Sequence, residues 1–314
     1  MFIERDRARI KSDIRLLGTK EETCSIQRLR VKVRKHCIHT LLQFTILSRI
    51  RASLIGVGAG AVNNNETHVY MGTSGWVSTV VDKSIVDASA MIAAVVGARP
   101  GYYNYFAELE TAGKCLEWVK NHLALDEIGI YLKKTDVAED MESEFTNLYQ
   151  YLSSVIEKVP AGSNGVMFTP WLHGNRCPFE DPNSRGMFFN LSIETGKSEM
   201  IRAVVEGVCL HMRWMLETHE KKTKTSNVIR FVGGGALNDS TSQILADCTG
   251  RVVETVPSPQ NVGAVGAAIV VAVGLGVIDG IGKANLLIDA EKRFTPNKIN
   301  KPVYDKISAN SCWI

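Results

Sequence analysis

The stretch NVIRFVGGGALNDSTSQILADCTG, residues 227–250, limits more than any other what this chain can become. An apolar run that meets three glycines and then Asn238 and Ser240 reads as a strand, a tight turn and a helix. The strand is expected over Asn227–Val232. Ser240 can cap a helix that stops at Gly250. Gly233, Gly234 and Gly235 remove every Cβ from the turn, so another backbone or a planar or phosphorylated ligand can come close, and a helix N-terminus just beyond favours anions. The spacing is not G-x-G-x-x-G, so the dinucleotide fingerprint fails. A strand-to-helix turn without a ligand accounts for the same residues equally well.

Around this segment the chain alternates between two periodicities. Thr67–Met71 and Gly75–Val81 read as short strands rich in Val, Tyr and Thr, Val166–Thr169 and Met187–Leu191 as two more, and Arg251–Val256 as another. Tyr103–Leu123 and Glu139–Lys158 read as helices, the second ending before Pro160. Ser198–Leu216 carries Ile201, Val204, Val205, Val208, Met212 and Met215 at three- and four-residue intervals, the apolar stripe of an amphipathic helix. Within it Arg202 and Glu206 are expected to form an i,i+4 surface pair of small energetic value. Gly263–Gly276 reads as a helix closing the core. Strands alternating with helices imply an α/β layer architecture.

Two further segments can carry chemistry. VYMGTSGWV, residues 69–77, breaks a strand at Gly72, Thr73, Ser74 and Gly75 and then resumes it. Glycines tolerant of positive φ would let successive amides point into one concavity, with two hydroxyls beside them, which makes a phosphate cradle; an ordinary hairpin turn fits the same four residues. FTPWLHGNRCPFEDPNSRGMFFNL, residues 168–191, is a strand followed by a proline-rich loop with Trp171, His173 and two arginines, the composition of a cleft rim. A lone histidine such as His173 is expected to be a structural hydrogen-bonding group.

Charge divides the 314 residues into unlike parts. Residues 1–51 hold 13 basic and five acidic side chains, a net of +8, with one glycine and no proline; the remainder holds 23 and 28, a net of −5. The first part is expected to be disordered, and a basic nucleic-acid arm is its other reading. The overall +3 is too small to call for a nucleic-acid or anionic-membrane partner. Seven scattered cysteines without a C-x-x-C pair imply reduced thiols and a cytoplasmic location. The N-terminus has no apolar core of a secretory signal. Val262–Ile278 is uncharged but short for a membrane span and holds four glycines, so a buried helix is expected.

Taken together, GTSGWV, GVMFTPWLHGNRCPFEDPNSRGMFFNL, SEMIRAVVEGV, FVGGGALNDSTSQILADCTGRVV, NVGAVGAAIVVAVG and the late FTPNKINKPVYDKIS closely resemble, in order and spacing, the C-terminal domain of the FGGY carbohydrate kinases. The xylulokinase-like branch looks nearest. The resemblance covers about residues 52 to 305 and implies an actin-like, ribonuclease-H-like ATPase domain over 52–314. It also implies that Gly72, Thr73, Ser74 and Gly75 surround the β- and γ-phosphates of ATP, that Gly233, Gly234, Gly235, Ala236 and Asn238 form the adenosine motif, and that the 263–276 helix is the connecting helix. In that family the nucleotide lies between this domain and an N-terminal domain that supplies the sugar site and a Mg2+ ligand.

The resemblance stops abruptly at Ala52. Running back from Gly58-Ala59-Gly60 places Arg51 where the family has its catalytic aspartate, so no catalytic residue is expected in place. The abruptness, with the charge break at the same point, leads to the expectation that residues 1–51 are a truncated or misassembled reading of a longer kinase gene. What the resemblance implies is an ATP-dependent sugar kinase, with Mg2+ carried by the nucleotide, d-xylulose or a related sugar as acceptor, ATP and ADP as partners, and a homodimer within range. A non-catalytic nucleotide-binding or interaction module is the alternative.

Overall fold

The computed structural model describes residues 46–123 and 148–310, and of 46–51, 148–150 and 310 the backbone alone. The basic segment 1–45, the first half of the helix expected over 139–158, and Cys24, Cys37 and Cys312 lie outside the described residues. Helix α1 (Ile46–Gly58) leads into β1 (Thr67–Met71) and β2 (Gly75–Val81), whose bounds are those expected from the sequence. Then follow β3 (Val86–Asp87), β4 (Ile92–Val96), β5 (Tyr103–Leu109) and helix α2 (Gly113–His122).

The expectation of one helix over Tyr103–Leu123 is therefore wrong in its first third. YNYFAEL alternates between the two faces of the sheet: Tyr105, Ala107 and Leu109 are fully buried on one side, while Phe106 and Glu108 point to the other. Placed between β2 and β4, the segment is a central strand, and aromatic residues suit that environment.

After α3 (Leu148–Glu157), two short strands, β6 (Met167–Phe168) and β7 (Phe188–Phe189), pair antiparallel outside the main sheet. The long helix α4 (Lys197–Glu220) precedes β8 (Val228–Val232), α5 (Asp239–Thr249), β9 (Val252–Thr255), α6 (Val262–Gly274), β10 (Lys292–Phe294) and α7 (Lys301–Asn310). The main sheet runs β10-β9-β8-β1-β2-β5-β4-β3. Its β9-β8-β1 centre is parallel and its flanks are antiparallel.

Each face of this sheet has its own core. Val69, Met71, Val77, Tyr105, Ile229, Phe231 and Val253 face α4 and its neighbours. Trp76, Val232 and Val256 face the other way, towards Ile55 of α1, Ala59 just beyond it and Val262 of α6. Helices α1 and α6 approach so closely that a Cβ on Gly58 would collide with the Val262 carbonyl, and one on Gly266 with that of Leu54. Small residues at the crossing set the distance. The outer side of α6 is not buried as expected: Val270, Val271 and the following Leu275 are exposed. No helix among the described residues is long and apolar enough to cross a membrane.

Arg202 and Glu206 overturn the expectation of a surface pair. They lie on α4 with the expected spacing, 2.6 Å apart, but are 7% and 3% exposed. Arg202 also donates to the carbonyls of Ile156 and Val159 (2.7 and 2.8 Å), and Glu206 accepts from Gly162 N (3.0 Å), Ser163 Oγ (2.8 Å) and Tyr304 Oη (2.8 Å). The pair fastens α3, the 162–163 turn and α7 to α4. Farther along the same helix Arg213 and Glu217 are also 2.6 Å apart, yet 43% of the Glu217 side chain is exposed. Spacing alone does not distinguish the two pairs, because burial is supplied by segments distant in sequence.

Candidate functional site

Strands β1 and β8 are parallel neighbours, with Tyr70 opposite Val232 in the register, so both deliver their following turns to one end of the sheet. Ligands of open α/β sheets bind outside the carboxyl ends of such strands. After β1 comes Gly72-Thr73-Ser74, a tight hairpin closed by Gly72 N to Ser74 O (2.9 Å), with Met71 opposite Gly75.

Neither Gly72 nor Gly75 has positive φ, contrary to the reason first given for them. They are required by crowding. A Cβ on Gly72 would strike the Tyr70 phenol, and one on Gly75 would strike the Met212 methyl of α4 and lie 2.8 Å from the Ala112 Cβ. The turn is braced from outside as well, because Gly113 N donates to Gly72 O (2.7 Å) while Ala112 N and Lys114 N both donate to Thr73 O (3.1 and 3.2 Å). The first amides of α2 are thereby spent on the turn's carbonyls. The amides and hydroxyls of Thr73 and Ser74 bond to no other described residue and remain free to donate.

The turn after β8 is built differently. Gly233 has φ +94° and ψ −179°, a region essentially restricted to glycine, and a Cβ there would lie 2.5 Å from Met71 O. Its amide donates to Pro259 O (2.8 Å). Gly234–Leu237 then form one 3₁₀ turn in which Gly235 packs on the Met71 side chain and Ala236 is buried. Asn238, not Ser240, caps α5: its Oδ1 accepts from Thr241 N (2.8 Å) and its Nδ2 donates to Ser153 Oγ (3.1 Å). At 2% exposed, Asn238 holds the turn in place from behind.

The two turns and α2 enclose a groove of about 320 Å³ lined by Gly72, Thr73, Gly113, Lys114, Glu117 and Lys120, with Gly234 and Gly235 opposite. Lys114, Glu117 and Lys120 escaped the sequence reading. Their three-residue spacing, opposite buried Cys115, Leu116 and Val119, is that of an ordinary solvated face. The signal available was their position one turn after a strand that ends beside Gly75, since Leu109 pairs with Gly75.

The 168–191 loop docks at the same end of β5. Arg176 spans Glu108 and Glu110 (3.2 and 3.4 Å), and burial raises the Glu108 carboxyl above its usual range, aided by Glu110 and opposed by Arg176. Trp171 Nε1 donates to buried His211 Nδ1 (3.4 Å), whose Nε2 donates to Cys177 O (2.8 Å). His173, expected to hydrogen-bond structurally, is exposed and has no such partner among the described residues. Arg51 lies in α1, and its side chain is outside the described ones.

Comparison with known proteins bears on the family and the fold. Residues 68–275 match the FGGY family of carbohydrate kinases, C-terminal domain. The gluconokinase of Bacillus subtilis is 28% identical over 244 residues, covering 77% of this chain and 45% of that protein. The xylulose kinase of the same organism is 26% identical over 250 residues, covering 79% and 46%. Ligand-bound xylulose kinase from Lactobacillus acidophilus superposes with a TM-score of 0.69 at 26% identity, over 82% of this chain and 48% of that one. Glycerol kinase from Plasmodium falciparum, solved with ADP, shares the fold at a TM-score of 0.64 and 17% identity, over 84% and 50%. The chain spans about half the length of the curated relatives it matches. Its mixed sheet with helices on both faces is the actin-like ATPase fold of the sugar kinases, and the chain belongs to the FGGY family of carbohydrate kinases, matching its C-terminal domain.

Proposed function

We propose that this domain is the nucleotide-binding half of an ATP-dependent sugar kinase, and that ATP enters the groove between Gly72–Gly75 and Gly233–Ala236. One observation carries the reading: the unbonded donors of Thr73 line a groove of nucleotide-compatible size opposite the Cβ-free Gly234 and Gly235, in a chain of this family. Phosphoryl transfer depends on positioning and electrostatic stabilisation more than on covalent help from the protein. In this reading the amides and hydroxyls of Thr73 and Ser74 hold phosphate oxygens, Lys114 and Lys120 add positive charge along one wall, and Gly234 and Gly235 admit the nucleoside. Among the described residues no three His, Cys, Asp or Glu side chains are placed to hold a metal ion. Glu117 is the groove's own carboxylate. In this reading Mg2+ enters as the counter-ion of the nucleotide's phosphates.

The acceptor in this reading is a sugar hydroxyl, with d-xylulose or a related sugar favoured, and the location is the cytoplasm. The acceptor must lose a proton, and a positioned carboxylate base contributes roughly 10²–10⁴-fold. An arginine at position 51 cannot take that role, since a guanidinium stays protonated and has no lone pair to accept the proton. The proposal is thus that these 314 residues bind ATP without phosphorylating a sugar.

Calorimetric titration with MgATP tests the site: the parent chain binds, and Gly234→Val, which puts a branched side chain into the groove, does not. Equal binding by both would refute the placement. Sugar-dependent ADP release tests the chemistry. It is expected only after Arg51→Asp and addition of a separately expressed family N-terminal domain, and release by the unmodified chain would refute the assignment of inactivity. Binding that never becomes turnover, even in the reconstituted pair, would favour the non-catalytic module.

A further inference from the structure

A second cavity lies away from the nucleotide groove. It measures about 580 Å³ and is lined by Ser89, Ala90, Pro178, Phe179, Trp214, Thr218 and Lys221, a volume within the roughly 300–1,000 Å³ of small-molecule sites. Three separate segments build it: the turn between β3 and β4, the 178–179 stretch of the long loop, and the last turns of α4.

Its walls are aromatic and held from behind. Phe179 and Trp214 meet at 5.7 Å between ring centres, tilted by 45°. Trp214 rests edge-on against His211 (5.5 Å), which is itself tied to Cys177 O. Burial lowers the His211 pKa to about 4, so the ring behind Trp214 is neutral at physiological pH.

The polar groups at the rim are mostly committed. Thr218 Oγ1 donates to Trp214 O (2.8 Å), Ser89 Oγ donates to Asp87 (2.6 Å), and Asp87 is also faced by Lys222 at 3.9 Å. Lys221 differs from Lys222 in having no carboxylate partner among the described residues. The indole N–H of Trp214 likewise has no acceptor among them. The cavity therefore pairs a rigid aromatic surface with one uncompensated cation and no free carboxylate.

From this combination we infer that the cavity between α4, the 178–179 stretch and the β3–β4 turn is a binding site for a small planar aromatic anion, its ring against Phe179 and Trp214 and its charge on Lys221. Aromatic stacking and a charge-assisted contact act together there, on a surface separate from the nucleotide groove.

The probe for the test is anilinonaphthalene sulfonate, with the uncharged phenylnaphthylamine as its control. The sulfonate is expected to bind saturably at one site and to quench tryptophan emission, while the neutral analogue binds at least several-fold more weakly. Lys221→Glu, at an exposed position, should weaken the sulfonate roughly tenfold or more and leave the neutral analogue unchanged. Ser89→Phe, which fills the cavity from its rim, should abolish binding of both. Urea midpoints equal to the parent's establish that the variants are folded. Sulfonate affinity insensitive to both substitutions, equal affinity for the two probes, or no saturable binding at all would each overturn the inference.

Discussion

The two glycine turns at the groove use the same residue for different physical reasons. Around Gly72 and Gly75 the backbone is ordinary and the glycines yield space to Tyr70, Met212 and Ala112. At Gly233 the backbone itself is one that other residues avoid, and Met71 O occupies the place of a Cβ. The first turn consequently leaves its donors facing outward, with its carbonyls tied down by α2. The second spends its geometry on bringing a bare backbone to the groove. A glycine-rich motif is thus two statements, one about packing and one about φ, and substitution separates them.

Acid separates the supports of the turns most strongly. The β1–β2 hairpin that carries the first turn leans on His68, which accepts from Trp76 Nε1 (3.1 Å), and on His219, whose Nδ1 meets Thr79 Oγ1 (3.1 Å); β8 and α5 contain no histidine. Burial lowers His68 and His211 to about 4 and His219 to about 3, from 6.5. Because the folded values lie below the unfolded one, the stability these neutral rings supply is complete above pH 6.5 and is lost as pH falls towards 4 and below. Each ring should remove up to about 1.4 kcal/mol per pH unit in that window. Urea unfolding between pH 7 and 4 measures it, and a midpoint that stays level would contradict the neutral-histidine account.

Gly233→Ala is the next largest effect. A side chain there meets both a backbone region closed to it and the Met71 carbonyl at 2.5 Å, for a loss of roughly 3 kcal/mol. Gly75→Ala should lose less, about 1–2 kcal/mol, because its φ is ordinary and the new methyl meets side-chain atoms, the Met212 methyl and the Ala112 Cβ, where Gly233 meets a backbone carbonyl. Urea midpoints at constant slope compare the two directly. If Gly75→Ala proved the more damaging, the division between crowding and φ would fail.

Which of these features could be read in advance follows from where their causes lie. β1 and β2 were legible because Val, Tyr and Thr alternate up to Gly72 and resume after Gly75, a local pattern with local punctuation. Tyr103–Leu109 was not, since Gly113 is the lone break between its alternation and the helix pattern beyond, and only its place between β2 and β4 makes it a strand. The burial of Arg202 and Glu206 depends on Ile156, Gly162 and Tyr304, up to 102 residues away. For Lys114 and Lys120 the reason is similar: a polar helix face becomes a wall only when the 72–75 turn is folded beside it.

Thr73→Val gives the smallest effect on the fold and the sharpest test of the contrast. Thr73 is exposed, its hydroxyl bonds to no other described residue, and the bracing of the turn runs through its carbonyl, which valine keeps. Unfolding free energy should therefore stay within about 0.5 kcal/mol of the parent. A hydroxyl donating to a phosphate oxygen is worth roughly 1.5–3 kcal/mol, so MgATP affinity should fall by about tenfold or more while the amide of residue 73 continues to donate. Calorimetry and urea unfolding on one preparation read both quantities. A stable variant with weakened binding assigns the first turn to the ligand, whereas unchanged binding would leave Gly72–Gly75 a hairpin whose glycines serve packing alone.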